Sequence, residues 1–141
     1  GYSKIFTETS VHILDKITPN IGLWPDCHPN PLKNYLDSLK KVASLEISKA
    51  FPAHGQVITN VHKRIEELLI HHEERLNVMA DIVKEKAQTA YQVATKVFNH
   101  KTFNGHQWRF ALAETLSHLE YLLFNQRLAK REEENIIYYN R

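Results

Sequence analysis

The sequence contains only one cysteine, Cys27, among its 141 residues. A single thiol excludes an intramolecular disulfide and the cysteine pairs of structural zinc sites, and it is typical of proteins from reducing compartments. No stretch approaches the ~20 consecutive apolar residues of a membrane span, and the first residues lack an apolar signal-peptide core. We therefore expect a cytoplasmic protein with no membrane partner.

The sequence also lacks a large excess of positive or negative residues. Lysine and arginine number 18 against 16 aspartate and glutamate, which gives a net charge of +2. Because the two signs are mixed along the chain, no basic surface that would attract nucleic acid is indicated. Hydrophobic residues make up 43% and charged residues 24%, the composition of an ordinary globular chain with one or two small domains.

Residues 1–58 show strand, loop and helix signals. The run at residues 2–7 is compatible with a strand, and the breaker-rich stretch 8–31 predicts a long irregular loop. Asn30-Pro31 then gives a helix start, with an N-cap residue followed by proline at the first position. Residues 45–51 predict a buried strand that runs into a turn at 52–55. The helix that begins at Pro31 has its apolar face at Leu32, Tyr35, Leu36, Leu39, Val42 and Ala43.

Residues 59–141 show a different pattern, of helices followed by a hairpin. A long helix opens at Asn60 and ends near Lys86, and a capping box at Thr89 and Gln92 begins the next. Residues 107–126 predict another long helix, and 128–131 with 136–139 predict a β-hairpin. This order is that of a winged-helix module. The helix that opens at Asn60 has one apolar stripe, which consists of Val61, Ile65, Leu68, His72, Leu76, Met79 and Val83.

Several segments resemble the metallo-β-lactamase superfamily, in that family's order. Residues 17–24, Ile-Thr-Pro-Asn-Ile-Gly-Leu-Trp, are similar to part of its second half, and 51–55, Phe-Pro-Ala-His-Gly, to its final metal-ligand turn. Residues 113–119, Ala-Glu-Thr-Leu-Ser-His-Leu, resemble the winged-helix extension of the branch related to lactamase-like protein 2.

This resemblance implies an α/β (α+β) fold in two domains. Residues 1–58 would be the closing portion of an αββα sandwich, and 59–141 a mostly helical, winged-helix-like domain. It also implies the family's zinc-dependent hydrolysis, with thioesters, lactones and phosphodiesters all open as substrates. His54 would be one of its metal ligands.

The remaining ligands of that family are missing from this sequence. It contains no His-x-His, and Thr9 stands where the bridging aspartate is expected. Threonine lacks the negative charge that such a ligand supplies. Either the dinuclear site is lost or the alignment shifts, with Glu8 as the carboxylate. We therefore expect this chain to be a C-terminal segment without activity of its own, which self-associates as a homo-oligomer or binds the missing N-terminal half.

Other histidines are weaker metal candidates. His71 and His72 are adjacent on one helix, so their side chains should diverge by ~100°. Glu67 and His71 are four residues apart and predict a surface pair, whereas His72 lies in the apolar stripe and predicts a core histidine hydrogen-bonded across the domain junction. Glu114 and His118 have the same spacing as Glu67 and His71 and the same interpretation.

The alternative function is that of a non-catalytic winged-helix module, which binds DNA or another protein. The helix at 107–126 carries Arg109 near its start but Glu114 and Glu120 further along, and its outer surface is aromatic, at Phe110, Tyr121 and Phe124. A recognition helix instead needs basic and amide side chains that reach base edges.

We therefore predict that the chain does not bind DNA tightly. A fluorescence anisotropy titration with a labelled duplex at physiological salt should show no nanomolar binding. Nanomolar affinity with a preference over random duplex would contradict this expectation and favour a regulatory function.

Overall fold

A computed structural model describes residues 20–51 and 56–141. Within these ranges, residues 34–51 and 56–72 belong to one compact unit, and residues 20–33 and 73–141 to a second. The fold is mixed α/β, as predicted, and over these ranges it is mostly helical with one two-stranded sheet. The elements of the described ranges are α1 (Pro31–Ala43), α2 (Val61–Glu85), α3 (Ala90–Val97), α4 (Gly105–Phe124), β1 (Ala129–Glu133) and β2 (Ile136–Asn140).

The beginnings of helices α1 and α2 are as predicted. The Asn30 side-chain oxygen accepts from the backbone N–H of Lys33, and the Asn60 side-chain oxygen accepts from that of Lys63. Each asparagine thereby satisfies an amide that the helix leaves unpaired. All seven stripe positions of α2 are buried, and so are five apolar positions of α1, namely Leu32, Tyr35, Leu36, Leu39 and Val42.

The predicted buried strand at residues 45–51 is wrong. The described residues there form a single antiparallel bridge, in which Ala50 and Ile58 exchange two backbone hydrogen bonds of 2.9 Å. Leu45 and Phe51 are 42% and 54% exposed. A strand needs a neighbour along its length to satisfy its backbone groups, and this segment finds one at a single residue. The predicted strand at 2–7 lies outside the described residues.

Two capping boxes begin α3 and α4. Thr89 and Gln92 form the predicted one, in which each side chain accepts from the other residue's backbone N–H. Asn104 and Gln107 form the same arrangement at the start of α4, with distances of 2.8 and 2.9 Å. Because of this cap, α4 begins two residues before the predicted position.

The end of α4 has a Schellman geometry. The backbone N–H of Gln126 donates to Leu123, and that of Arg127 donates to Leu122. Gln126 has a φ of 59°, the left-handed conformation that such a terminus requires. The helix therefore ends at Phe124, two residues earlier than predicted.

The predicted C-terminal hairpin is present. Strands β1 and β2 are antiparallel, and residues 134 and 135 join them. Glu134 and Asn135 have φ values of 51° and 64°, which is the type I′ turn that matches the twist of a two-residue hairpin. Gln88 exchanges two backbone hydrogen bonds with Tyr139, so the hairpin is attached to the segment that precedes α3. The winged-helix interpretation of these elements stays a prediction.

Two further expectations concern the chain as a whole. The predicted boundary after residue 58 separates two folding domains, which need not coincide with the two compact units described above. This boundary stays a prediction. Within ranges 20–51 and 56–141, every helix is too short or too polar to cross a bilayer.

The Asn104 cap gives a test of this fold. Asn104→Ala removes the acceptor for the Gln107 amide and should lower the free energy of unfolding by about 1 kcal/mol. Asn104→Ser keeps a capping oxygen and is the matched control. Urea denaturation followed by circular dichroism measures both, and equal stability of the two variants would contradict the capping assignment.

Candidate functional site

The predicted metal ligand His54 lies outside the described residues, as do Glu8 and Thr9. Ala50 and Ile58, which precede and follow the predicted turn at 52–55 in the sequence, form an antiparallel bridge. Within residues 20–51 and 56–141, no three His, Cys, Asp or Glu side chains come close enough together to hold a metal ion. The described residues therefore do not fit a zinc centre by themselves, and the ligand role of His54 stays a prediction.

Helix α4 is the element around which the polar groups of the second unit gather. The segment 20–24 lies along it: the backbone N–H of Leu23 donates to the carbonyl of Ala113 at 2.9 Å, and the Asn20 amide donates to the carbonyl of Phe110 at 3.2 Å. The Ser117 hydroxyl lies within hydrogen-bonding distance of the Ile21 carbonyl. These contacts fix part of the predicted irregular loop against the helix.

Gly22 is required by this close approach. A Cβ at this position would lie 2.9 Å from the Cβ of Ala113 and 2.7 Å from Nε1 of Trp24. Both distances are shorter than carbon and nitrogen atoms tolerate without a shift. The glycine in the Ile-Gly-Leu-Trp sequence is therefore explained by packing of the segment on α4.

An aromatic and cationic surface lies beside this contact. Trp24 meets Phe110 edge to face, with ring centroids 5.6 Å apart, and the Arg109 guanidinium lies 5.7 Å from the Trp24 ring. His106 contacts Phe110 edge to face as well, at 5.1 Å. We call these four residues the Trp24 surface. Phe110 is 41% exposed, so the outward aromatic position predicted for this helix is confirmed.

A second aromatic group surrounds Trp108. Tyr91 stacks on the indole at 5.3 Å, His100 lies at 5.1 Å, and Phe103 meets it edge to face at 5.6 Å. The indole and Phe103 are half-buried, whereas Tyr91 is exposed. This group joins the beginnings of α3 and α4 and is primarily a packing contact.

Glu114 and His118 are buried, so their interpretation as a surface pair is wrong. Glu114 forms an ion pair with Arg75 at 3.2 Å, and the guanidinium also lies over the Phe98 ring. The ring of His118 donates from Nδ1 to the Glu114 carbonyl at 2.8 Å rather than to its carboxylate. Burial raises the pKa of Glu114, and the positive charge of Arg75 opposes that rise only in part.

The paired histidines of α2 belong to the first unit. His72 is fully buried and meets Tyr35 edge to face at 5.3 Å, which confirms it as a core histidine. The rings of His71 and His72 lie in edge contact at 5.3 Å despite the expected divergence. The exposed Glu67 carboxylate forms an ion pair at 3.6 Å with the largely buried Arg64. The Glu67–His71 pair and the hydrogen bond of His72 across the junction stay predictions.

The ion pair between Arg75 and Glu114 was not predicted from the sequence. Arg75 precedes Glu114 by 39 residues, and a long-range ion pair leaves no periodic signal. The Asn104 cap was also missed, although Asn-x-x-Gln repeats the pattern of Thr89 and Gln92 and could have been recognised.

Comparison with known proteins gives matches over much of the chain. Residues 76–141 match the family described as "Metallo-beta-lactamase-like, C-terminal domain". The chain is 28% identical over 114 residues to a Bacillus subtilis protein named probable metallo-hydrolase YqjP. This alignment covers 81% of the chain and 35% of the Bacillus protein. It is 29% identical over 68 residues to the beta-lactamase-like protein 2 homolog of Caenorhabditis elegans, or 48% of this chain and 23% of that protein.

Two solved structures are also similar. A beta-lactamase domain protein from Burkholderia ambifaria matches with a TM-score of 0.82 and 31% identity, over 89% of this chain and 38% of the other. A metallo-beta-lactamase family protein from Thermus thermophilus matches with a TM-score of 0.76 and 35% identity, over 90% of this chain and 39% of the other. The chain thus spans less than two-fifths of the length of each protein.

The buried carboxyl of Glu114 leads to a pH-dependent prediction. A carboxyl whose pKa is raised on folding makes the protein less stable as pH rises through that pKa, because the folded state must give up a proton it holds more tightly. Glu114→Gln removes this titration. As pH rises above 4.5, the usual value for glutamate, the native protein should lose stability relative to the variant.

Urea denaturation of both proteins at a series of pH values between 4 and 7 measures this difference. Glu73→Gln, at the exposed pair with Arg127, is the matched control for removing one negative charge from an ion pair. A difference between the native protein and Glu114→Gln that stays constant or changes in the opposite direction would contradict the raised pKa.

Proposed function

Since residues 76–141 are a metallo-β-lactamase-like C-terminal domain, we propose that this chain acts as the C-terminal part of a zinc-dependent metallo-β-lactamase-fold hydrolase. The observation that carries the proposal is the structural match: about nine-tenths of the chain matches the Thermus protein at 35% identity. The resemblance of the Pro-Ala-His-Gly sequence at residues 52–55 to the family's final metal-ligand turn supports His54 as a metal ligand of the longer protein.

The metal would require ligands beyond those of the described residues. A catalytic zinc site ordinarily has three protein ligands and an open position for water. His54 alone cannot hold zinc firmly, so the other ligands would come from the part of the fold that the longer relatives have in addition. For this reason we propose that the chain by itself has no hydrolase activity and binds no stoichiometric zinc.

Apolar exposure in the first unit supports a partner for this region. Leu45, Phe51 and Val57 lie on both sides of the Ala50–Ile58 bridge and are 42%, 54% and 46% exposed. Three exposed apolar side chains around one short bridge are what a sheet layer shows when its neighbouring strands are missing. The partner would be the remaining half of the sandwich, or a second copy of the chain in a homo-oligomer.

A non-catalytic interaction module is the second candidate, and the Trp24 surface favours it. That surface combines the exposed Phe110 ring and the half-buried Trp24 ring with the cation of Arg109, which is the composition of protein interfaces rather than of a DNA-reading helix. Protein binding is therefore the preferred form of this alternative.

The role of His54 can be tested in a longer protein that carries the remaining ligands. His54→Ala should lower the zinc content and kcat/KM together, the latter by more than about tenfold, because loss of a ligand exceeds loss of its supporting hydrogen bond. His62→Ala, at an exposed position of α2, is the matched control. Zinc is measured by atomic emission and activity with thioester, lactone and phosphodiester substrates.

The isolated chain is measured in parallel. One-to-one zinc binding by this chain, or hydrolysis that disappears in its His54→Ala variant, would show that it carries a complete site and would contradict the proposal. Unchanged zinc content in the longer His54→Ala protein would contradict the assignment of His54 as a ligand.

A further inference from the structure

A pocket of about 460 Å³ lies in the second unit, among the end of α2, helix α3 and strand β2. Its volume is within the range of small-molecule sites, roughly 300–1,000 Å³. The polar side chains that line it are Lys86, Gln88, Gln92, Thr95, Lys96 and Tyr138.

The lining carries positive charge without any carboxylate. Lys86 and Lys96 both contribute to it, and no aspartate or glutamate does. Within the described ranges, neither lysine takes part in the ion pairs that Arg75, Arg127, Lys130 and Arg131 form in the second unit. Two ammonium groups at one pocket repel each other, and a bound anion would relieve this repulsion.

Hydrogen-bond donors of the lining remain available for such an anion. The Gln92 side-chain oxygen accepts from the Thr89 backbone, which fixes the side chain and leaves its amide nitrogen to donate. The Tyr138 ring lies beside the Arg131 guanidinium, and its hydroxyl makes no hydrogen bond within the described part of the chain and can also donate. Gln88, in contrast, donates to the Ile82 carbonyl at 3.1 Å and shapes the wall of the pocket.

We propose that this pocket binds a small phosphorylated molecule. Lysine ammonium groups bind phosphate as point charges, and the two lysines of the lining would balance the charge of about −2 that a phosphate monoester carries near pH 7. The phosphate would lie between Lys86 and Lys96 and accept from Gln92. The volume exceeds that of a phosphate ion, so the organic part of the ligand would pack against the Tyr138 ring.

Nuclear magnetic resonance titration of the full chain tests this site. The probes are inorganic phosphate, glycerol 3-phosphate, glycerol and succinate. We expect saturable shifts of the Ala87, Gln88 and Thr95 amides with the two phosphates, tighter binding of glycerol 3-phosphate than of inorganic phosphate, and no saturation with glycerol. Equal affinity for succinate and phosphate would overturn the assignment of a phosphate ligand.

Two lysine variants locate the interaction. Lys86→Gln and Lys96→Gln should each weaken glycerol 3-phosphate binding at least fivefold. Lys84→Gln makes the same charge change in the last turn of α2, at an exposed residue that does not line the pocket, and should change the affinity less than twofold. An equal effect of all three variants would show a nonspecific effect of net charge and overturn the site, as would the absence of saturable binding.

Discussion

The enclosure of helix α4 is the constraint on which the second unit depends. Its central residues are buried on several sides, and the buried set includes Glu114, Thr115, Ser117 and His118 as well as alanine and leucine. A polar group without a partner in such surroundings costs about 1–3 kcal/mol, so each one needs a nearby acceptor or charge. Thr115 and His118 bond to carbonyls of α4 itself, whereas the partners of Glu114 and Ser117 come from neighbouring elements.

Each of these neighbours contacts the helix at a different residue. The segment 20–24 is joined to it by the Leu23–Ala113 backbone bond, Arg75 pairs with Glu114, and the hairpin supplies Tyr139 and Lys130 to Glu120 at 2.9 and 2.8 Å. Burial and the negative charge of Glu120 both raise the pKa of Tyr139, so its hydroxyl stays a donor. The polar groups of α4 thus specify which elements pack around it and in which register.

The parts of the structure that follow local rules could be predicted from the sequence. The α2 stripe, the Thr89 capping box and the hairpin depend on spacing or turn chemistry within a few residues, and each is present. The interior of α4 does not follow such a rule: Leu112, Leu116 and Leu123 are only half-buried, whereas Glu114 and His118, which were expected at the surface, are buried. A helix contacted on several sides has no single apolar stripe, so periodicity cannot identify its interior.

The candidate site shows the same limit. His54 was recognised through its resemblance to a ligand turn, and its assignment depends on residues that local pattern cannot bring together. The lysine-lined pocket joins Lys86, Lys96 and Tyr138 from three parts of the chain, and the sequence gives no signal for it. The failure of the strand at 45–51 has a related cause, because a strand exists only through its neighbours.

The composition of β1 has a consequence for how copies of this chain can meet. Its five residues, Ala-Lys-Arg-Glu-Glu, are all exposed, and within the described ranges its only strand partner is β2. An unpaired strand edge is a template for the addition of another strand, and charged side chains on that edge oppose such growth. The hairpin is therefore protected against edge-to-edge aggregation, whereas Leu45, Phe51 and Val57 around the Ala50–Ile58 bridge are exposed apolar side chains of the kind that favour association.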